Sequence, residues 1–268
     1  MKILFIGDIV GASGLEFLEE HLPHLRARYA PDFIVANAEN LSITGTNPVS
    51  GCGMASEDIN RLFGTGVDLV TGGNHSWDGP AAEAVHCDPR VLRPLNYGPR
   101  APGRGAAVLE KNGSRLGVVN LASRTALAYV DQPHDVLERQ LDDWNGDTDA
   151  VLVDFHGESV SEKQIFAWSF AGRVAAVVGT HTHVATLDSR VLPGGTAFVT
   201  DVGMTGPSGG MQGYDPELFL DVIRTRLPSR KAGKLASGPV ELGAVLIQLD
   251  GGKATAIDRI RTPKGELA

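Results

Sequence analysis

Short apolar runs that each end in polar residues recur along this 268-residue chain, and they constrain its fold more than any other feature. Their composition suits strands that are buried on both faces of a sheet. The runs are Ile3–Ile6, Phe33–Ala36, Val67–Thr71, Ala150–Phe155 and Val174–Val178. Segments with helical periodicity lie between most of them, so the chain is predicted to be an α/β protein.

A predicted hairpin adds a second sheet to this pattern. Ala106–Leu109 and Leu116–Leu121 flank Asn112-Gly113, a dipeptide typical of tight β-turns. An amphipathic helix is predicted from Leu15 to Tyr29. No internal repeat or linker divides the sequence, so we expect residues 1–268 to form a single domain.

Composition narrows the class of protein. The formal net charge of −8 argues against a general binder of long nucleic acid, although a small phosphate substrate stays open because metal ions can supply positive charge. Cys52 and Cys87 form no C-x-x-C pair, which favours a reducing compartment. No secretory signal or membrane-length apolar run is present, and we expect a cytoplasmic protein.

Side chains of the metal-ligand type follow the predicted strands. In open α/β sheets, ligands bind beyond the carboxyl ends of the strands. A single acidic residue there can be a helix cap, and Asp8 alone fits either role. Repetition at five strand ends favours a metal site. The residues are Asp8, Glu39, Asn40, Asn74, His75, His156, His181 and His183.

The number and type of these residues predict two metal ions. His181 and His183 are two residues apart, which lets both imidazoles reach a common centre. Seven oxygen and nitrogen ligands, leaving His75 aside, exceed one tetrahedral ion but suit two ions that share a bridging carboxylate. Glu39 is the natural bridge. The absence of cysteine ligands favours manganese, iron or zinc.

These motifs also carry a family resemblance. Gly7-Asp8, Gly73-Asn74-His75 and Gly179-Thr-His181-Thr-His183 resemble the calcineurin-like metallophosphoesterases. The stretches NAEN, GNHSWD, GTHTHV and TDVGMTGP are similar to the YmdB-like branch, whose members act as phosphodiesterases on cyclic nucleotides. The resemblance runs from Lys2 to Gly210 and continues more weakly beyond. It implies a four-layer α/β sandwich with two central β-sheets flanked by helices.

The resemblance also implies roles for individual residues. The ligands of one metal ion would be Asp8, Glu39, Asn40 and His183. The ligands of the other would be Glu39, Asn74, His156 and His181. His75 would protonate the leaving oxygen as general acid. Val10 stands where the wider superfamily has a ligand histidine, and Glu39 replaces its bridging aspartate. The branch is associated with iron or manganese, which we place ahead of zinc.

The expected activity is hydrolysis of small phosphodiesters, such as 2′,3′-cyclic or 3′,5′-cyclic nucleotides, by attack of a metal-bound hydroxide. A phosphomonoesterase or 5′-nucleotidase would use the same metals, and a regulatory protein would bind a nucleotide with little turnover. An amidohydrolase would carry its H-x-H on the first strand, where this chain has Asp8. We expect no long nucleic acid and no membrane as partners, and assembly into a homo-oligomer stays open.

The remaining polar residues are interpreted without a role as metal ligands. Asp78 either supports His75 or caps the helix that begins near Gly79, and we expect the cap. Asp201–Gly210 is predicted to be a flexible loop that could cover the site. The histidines without ligand-type neighbours are predicted to lie on the surface; they are His21, His24, His86 and His134.

Overall fold

The fold is seen in a computed structural model that describes residues 1–42, 52–125, 129–227 and 234–260. Its helices are α1 (Gly11–Tyr29), α2 (Ser56–Gly64), α3 (Ala82–Val85), α4 (Pro133–Trp144), α5 (Val160–Ser169) and α6 (Glu217–Thr225). Its strands are β1 (Lys2–Ile6), β2 (Phe33–Asn37), β3 (Leu69–Thr71), β4 (Ala106–Lys111), β5 (Ser114–Ala122), β6 (Ala150–His156), β7 (Ala176–Thr180), β8 (Arg190–Leu192), β9 (Thr196–Val199), β10 (Gly206–Pro207), β11 (Val240–Glu241), β12 (Ala244–Asp250) and β13 (Lys253–Ile260).

The strands form two large sheets and a short ribbon. The first sheet has the order β13-β12-β1-β2-β3, and the second has the order β4-β5-β6-β7-β9-β8. Strands β1, β2 and β3 are parallel, as are β5, β6, β7 and β9. Parallel strands direct their carboxyl ends to the same edge of a sheet. The residues that follow β1, β2, β3, β6 and β7 are therefore brought towards one place.

The two sheets pack face to face, and helices cover both outer faces. Alternate residues of β1 show this, since Ile3 and Phe5 join the core between the sheets. Leu4 packs with Leu15 and Leu18 of α1 on the other side. Helices α4 and α5 cover the outer face of the second sheet. These four layers confirm the predicted sandwich.

The predicted hairpin is confirmed, whereas the predicted start of α1 is wrong. Asn112 and Gly113 both have positive φ, at 50° and 76°, and they join β4 to β5 at the edge of the second sheet. Helix α1 begins at Gly11 instead of Leu15, and the Gly11 amide, which has no partner within the helix, donates to the Asn40 carbonyl at 2.9 Å. Its cap residue is Val10, so Asp8 is not a helix cap.

The predicted end of β7 is also wrong. The sequence predicts a strand from Val174 to Val178 that Gly179 terminates, but β7 continues through Gly179 to Thr180. Gly179 fits in the strand because it lacks a Cβ atom, which would overlap the carbonyl oxygen of Thr200. The extension pairs Thr180 with His156 of β6, and this register places the Thr180 hydroxyl beside a predicted ligand.

Two histidines that were predicted on the surface are buried. His21 packs on Phe17 with ring centroids 4.3 Å apart. His86 stacks on Trp77 and bonds the Ala82 carbonyl at 2.8 Å through Nδ1. Both imidazoles fill core space beside aromatic neighbours. Within the described ranges, no helix has the length and apolarity needed to cross a membrane.

Candidate metal centre

The structure brings all seven predicted ligands to the shared edge of the two sheets. The first sheet supplies residues that follow β1, β2 and β3, and the second supplies residues that end or follow β6 and β7. Contacts of 3.0 to 3.3 Å join side chains across the sheets. Their role as metal ligands remains a prediction. The first sheet contributes Asp8, Glu39, Asn40 and Asn74, and the second contributes His156, His181 and His183.

One group of donors converges on the Nε2 atom of His156. Glu39 Oε1 and Asn74 Oδ1 each lie 3.0 Å from this nitrogen, and His181 Nδ1 lies 3.1 Å from it. Ligand atoms of Glu39, His156 and His181 all lie within 4.8 Å of one another. Three lone-pair donors around a fourth form the kind of cluster that a cation separates and stabilises.

A second group of donors lies beside the first. His183 Nε2 is 3.3 Å from Asn40 Oδ1. Asp8 is fully buried, and its Oδ2 accepts from the backbone amide of His181 at 3.1 Å. The other oxygen, Oδ1, lies 3.8 Å from His156 Nδ1. Asp8 therefore lies between the two histidine segments of the second sheet.

The donor set fits bound cations. Among the residues that the structure describes, Asp8 Oδ1 is a buried oxygen without a hydrogen-bond partner, which is costly unless a positive charge neutralises it. Gly73 keeps the same region open, because a Cβ atom there would overlap Glu39 Oε2 and His156 Nε2. The residues present thus offer oxygens, imidazole nitrogens and space, as a metal centre requires.

Together, burial and neighbouring charges raise the pKa of His156 and lower the pKa values of His181 and Glu39. Burial and the neighbouring His156 lower the pKa of His181 to about 3. Burial disfavours the charged form of His156, but the carboxylates of Glu39 and Asp8 outweigh it and raise its pKa to about 9. For Glu39, His156 outweighs the effect of burial and lowers the pKa. His181 is therefore a neutral imidazole at pH 7, the form that binds metals.

His75 lies beside this cluster with its ring held by a carboxylate. Its Nδ1 atom is 2.6 Å from Asp78 Oδ2, and its backbone amide donates to Glu39 Oε2 at 3.0 Å. The predicted cap role of Asp78 is wrong, because the next helix begins at Ala82 and Asp78 contacts His75 instead. Burial lowers the pKa of His75, but the Asp78 hydrogen bond and the charge of Glu39 outweigh it and raise the value.

A cavity of about 320 Å³ opens onto the candidate ligands and His75. Its volume suits a small phosphoester with part of a nucleoside. Four further residues of its wall were not among the predicted site residues, although Glu158 stands only two positions after His156 and its Oε2 lies 3.4 Å from His181 Nε2. They are Glu158, Gln212, Tyr214 and Phe219.

Comparison with known proteins identifies the family. The profile of the family described as YmdB-like protein matches residues 4–260. The chain belongs to the YmdB-like family. A Bacillus subtilis (strain 168) relative, a 2′,3′-cyclic-nucleotide 2′-phosphodiesterase, is 39% identical over 263 residues, which cover 97% of this chain and 96% of the relative.

Solved structures agree with this assignment to the YmdB-like family. A protein from Thermus thermophilus is 39% identical with a TM-score of 0.88, covering 96% of this chain and 97% of the other. A phosphatase from Mycoplasma pneumoniae is 30% identical with a TM-score of 0.88, covering 98% and 93%. A Staphylococcus aureus 5′-nucleotidase shares the fold alone, at 13% identity and TM-score 0.56, over 97% of this chain and 53% of the other. Membership of the YmdB-like family, whose motifs resemble those of the metallophosphoesterases, implies divalent metal ions at this cluster.

In this YmdB-like chain a buried ion pair supports the H-x-H segment. Lys163 Nζ donates to Asp201 Oδ2 at 2.9 Å and to the Thr180 carbonyl at 2.8 Å. Asp201 Oδ2 also accepts from the Thr182 amide at 3.1 Å. The pair thus holds the backbone on both sides of His181. Asp201 could have been identified from the sequence as a site residue, because it follows strand β9. Lys163 could not, because a lysine inside a helix does not indicate a buried ion pair.

The backbone of the H-x-H segment is itself unusual. His181 and His183 have φ values of 99° and 63°, in the left-handed region that non-glycine residues rarely adopt. Such residues cost about 1–3 kcal/mol each and persist where surrounding contacts fix them. The Gln212 carbonyl supplies one such contact, since it lies 2.8 Å from His183 Nδ1. In this conformation His181 Nδ1 lies 3.1 Å from His156 Nε2, and His183 Nε2 lies 3.3 Å from Asn40 Oδ1.

The segment that was predicted to be a flexible loop over the site is packed along most of its length. Residues 201–207 are buried. The Thr205 amide donates to the Asp8 carbonyl at 2.8 Å, and the Val10 amide donates to the Thr205 carbonyl at 2.9 Å. This part of the TDVGMTGP motif therefore supports the backbone around Asp8, and the predicted flexible cover is wrong for these residues.

Proposed function

We propose that this protein is a metal-dependent phosphodiester hydrolase that acts on small cyclic nucleotides, with 2′,3′-cyclic nucleotides as the first candidates. The observation that carries the proposal is the convergence of carboxylate, amide and imidazole donors beside His75 in one small cavity. The activity named for the Bacillus subtilis relative supports the substrate class. The net charge of −8 favours a small substrate over long nucleic acid.

Two metal ions fit the grouping of the side chains. The ligands proposed for one ion are Asp8, Glu39, Asn40 and His183. The ligands proposed for the other are Glu39, Asn74, His156 and His181. The contact of 3.3 Å between His183 and Asn40 and that of 3.0 Å between His156 and Asn74 support this division. A mixed donor set without thiolates suits iron, manganese or zinc, and the family resemblance places iron or manganese ahead of zinc.

The chain's own residues then have defined tasks. When bound, the ions supply Lewis-acid stabilisation of the phosphate and activation of the attacking water. Glu39 would hold both ions when they are bound. Asp78 fixes the His75 ring through Nδ1. His75 donates a proton to the leaving ribose oxygen as its bond to phosphorus breaks, so a cyclic diester and water become a monoester.

We also propose a cellular location for the enzyme. The absence of a C-x-x-C pair favours a reducing compartment, and we propose the cytoplasm as its location. No long nucleic acid and no membrane partner are required for the reaction.

A substrate panel tests the proposal. Metal-depleted protein is reconstituted with Mn²⁺ or Fe²⁺ and assayed on 2′,3′-cyclic AMP, 3′,5′-cyclic AMP, AMP and bis-p-nitrophenyl phosphate. We expect metal-dependent turnover of the diesters, fastest on the 2′,3′-cyclic nucleotide, and close to two ions per chain by elemental analysis. Turnover of AMP alone would instead identify a phosphomonoesterase, and nucleotide binding without turnover would identify a sensor.

A further inference from the structure

Behind the candidate centre, a buried carboxylate accepts hydrogen bonds from residues of both sheets. Asp154 of β6 is fully buried, and its Oδ2 accepts from Thr71 Oγ1 at 2.5 Å and from Asn37 Nδ2 at 3.0 Å. Its Oδ1 accepts from Thr180 Oγ1 at 2.7 Å. Thr71 and Asn37 belong to the first sheet, whereas Thr180 belongs to the second. Asp154 is no candidate ligand, so its role needs a separate explanation.

The Thr180 hydroxyl connects this carboxylate to His156. Thr180 Oγ1 lies 2.9 Å from His156 Nδ1 on one side and 2.7 Å from Asp154 Oδ1 on the other. A hydroxyl has one hydrogen, and Thr180 donates it to Asp154, whose other oxygen accepts from Asn37 and Thr71. The hydrogen of Thr180 therefore points to Asp154, and its oxygen accepts the Nδ1 hydrogen of His156.

This direction determines which imidazole nitrogen of His156 is available to a metal. With Nδ1 donating to Thr180, Nε2 is the nitrogen of His156 that would bind a metal once its proton is released. That nitrogen faces Glu39 Oε1 at 3.0 Å, within the proposed centre. Partners of this kind commonly fix the tautomer and ring orientation of metal-binding histidines.

We propose that Asp154 and Thr180 are positioning residues that act through His156 to prepare one half of the metal centre. The inference rests on the proposed function, because it takes His156 as a ligand. Asn37 and Thr71 donate to Asp154 from the first sheet, whereas Thr180 contacts both Asp154 and His156 and so forms the path to the proposed ligand.

Matched substitutions test the proposal. Thr180→Val removes the hydroxyl with little change of shape, and Thr180→Ser keeps it. Thr71→Val is the control, because it removes a hydrogen bond to the same carboxylate without touching the path to His156. Each full-length variant is depleted of metal and titrated with Mn²⁺ by calorimetry, and its melting temperature is recorded in chelator.

We expect one of the two ions to bind about 10–100-fold more weakly in Thr180→Val, the usual loss when an outer partner of a metal ligand is removed. Thr180→Ser and Thr71→Val should bind like the wild type, even if Thr71→Val melts earlier. In zinc-loaded protein with ¹⁵N-labelled histidine, the protected His156 Nδ1 proton should be present in the wild type and Thr180→Ser and lost in Thr180→Val. If Thr180→Val fails to fold, Thr180→Ala against Thr180→Ser repeats the comparison.

The outcomes separate this inference from the function on which it rests. Wild-type affinity in Thr180→Val, or equal losses in Thr180→Val and Thr71→Val, overturns the positioning role and leaves the metal centre in place. A wild-type protein that binds no Mn²⁺ overturns both.

Discussion

The first sheet brings side chains with oxygen donors to the candidate centre, whereas the second sheet brings imidazoles there. Asp8 and Glu39 bring two buried carboxylates, and both belong to loops that follow parallel strands of the first sheet. His156, His181 and His183 bring nitrogens from the second. Neither sheet alone offers the proposed ligand set, so the candidate centre depends on the packing of the two sheets.

The two halves also differ in how they are supported. On the imidazole side, Thr180 and Asp154 hold His156, and the Lys163–Asp201 pair holds the backbone around His181. On the oxygen side, Asp8 keeps one buried oxygen without a hydrogen-bond partner in the described part of the chain. The imidazoles are thus oriented by the protein itself, while the carboxylates retain their capacity to bind a cation.

Removing the shared carboxylate should have the largest effect on this arrangement. Glu39→Gln replaces a bridging anion by a neutral amide, so we expect loss of both ions and of all detectable turnover. Elemental analysis and the diesterase assay on the same sample check this. Glu20→Gln is the control, because Glu20 is exposed on α1. Full activity with two ions in Glu39→Gln would show that Glu39 is not the bridge.

His75→Ala should leave both halves of the centre loaded and still slow the reaction. A nucleotide oxygen is a poor leaving group and needs a proton, and general acid catalysis is worth about 10²–10⁴-fold. A p-nitrophenolate is stable as an anion and needs little help. We therefore expect a loss of this size on 2′,3′-cyclic AMP and a much smaller one on bis-p-nitrophenyl phosphate.

The control for His75→Ala is His24→Ala on the exposed side of α1. Metal content is measured on each sample, because loss of an ion would depress both substrates. Equal slowing of the two substrates at unchanged metal content would remove His75 from the acid role.

Breaking the buried ion pair should weaken the imidazole half. Lys163→Met leaves Asp201 buried without its partner, which typically costs about 3–5 kcal/mol. Lys234→Met breaks an exposed pair with Asp215 and should cost less than about 1 kcal/mol. Urea unfolding in chelator measures both free energies. Similar losses in the two variants would contradict the support proposed for the H-x-H segment.

The sequence was sufficient to predict which residues of the candidate site come together at the ends of strands. Asp8, Glu39 and His156 could be placed together because the ends of parallel strands share an edge. The supporting residues could not, since their roles depend on contacts between distant segments. Lys163 is on a helix, where a lysine is ordinarily exposed, yet it is fully buried against Asp201.

Two features that the predictions missed, Gly179 inside β7 and the buried Asp154, do have signals in the sequence. Gly179 was predicted to end its strand, because glycine commonly interrupts strands, but close approach of the Thr200 carbonyl requires it inside β7. Asp154 follows four apolar residues in a fully buried strand, and a buried carboxylate there requires several partners. An acidic residue in such a strand is therefore a sequence signal for the network behind His156.

The smallest predicted effect concerns the Asp78 contact to His75. Asp78→Asn keeps the shape and an acceptor for Nδ1 but removes the charge from a hydrogen bond of 2.6 Å. Charge-assisted hydrogen bonds are about twice as strong as neutral ones. We therefore expect about tenfold slower hydrolysis of 2′,3′-cyclic AMP, equivalent to about 1.4 kcal/mol.

The control for Asp78→Asn is Asp135→Asn, because Asp135 is an exposed carboxylate 3.5 Å from His134. Bis-p-nitrophenyl phosphate hydrolysis and metal content should stay unchanged in both variants, since neither residue is a proposed ligand. If Asp78→Asn instead lost metal, Asp78 would act through the ligand Asn74 and the oxygen half of the centre. If it slowed both substrates equally with metal retained, it would support the fold of the His75 loop and not the proton transfer.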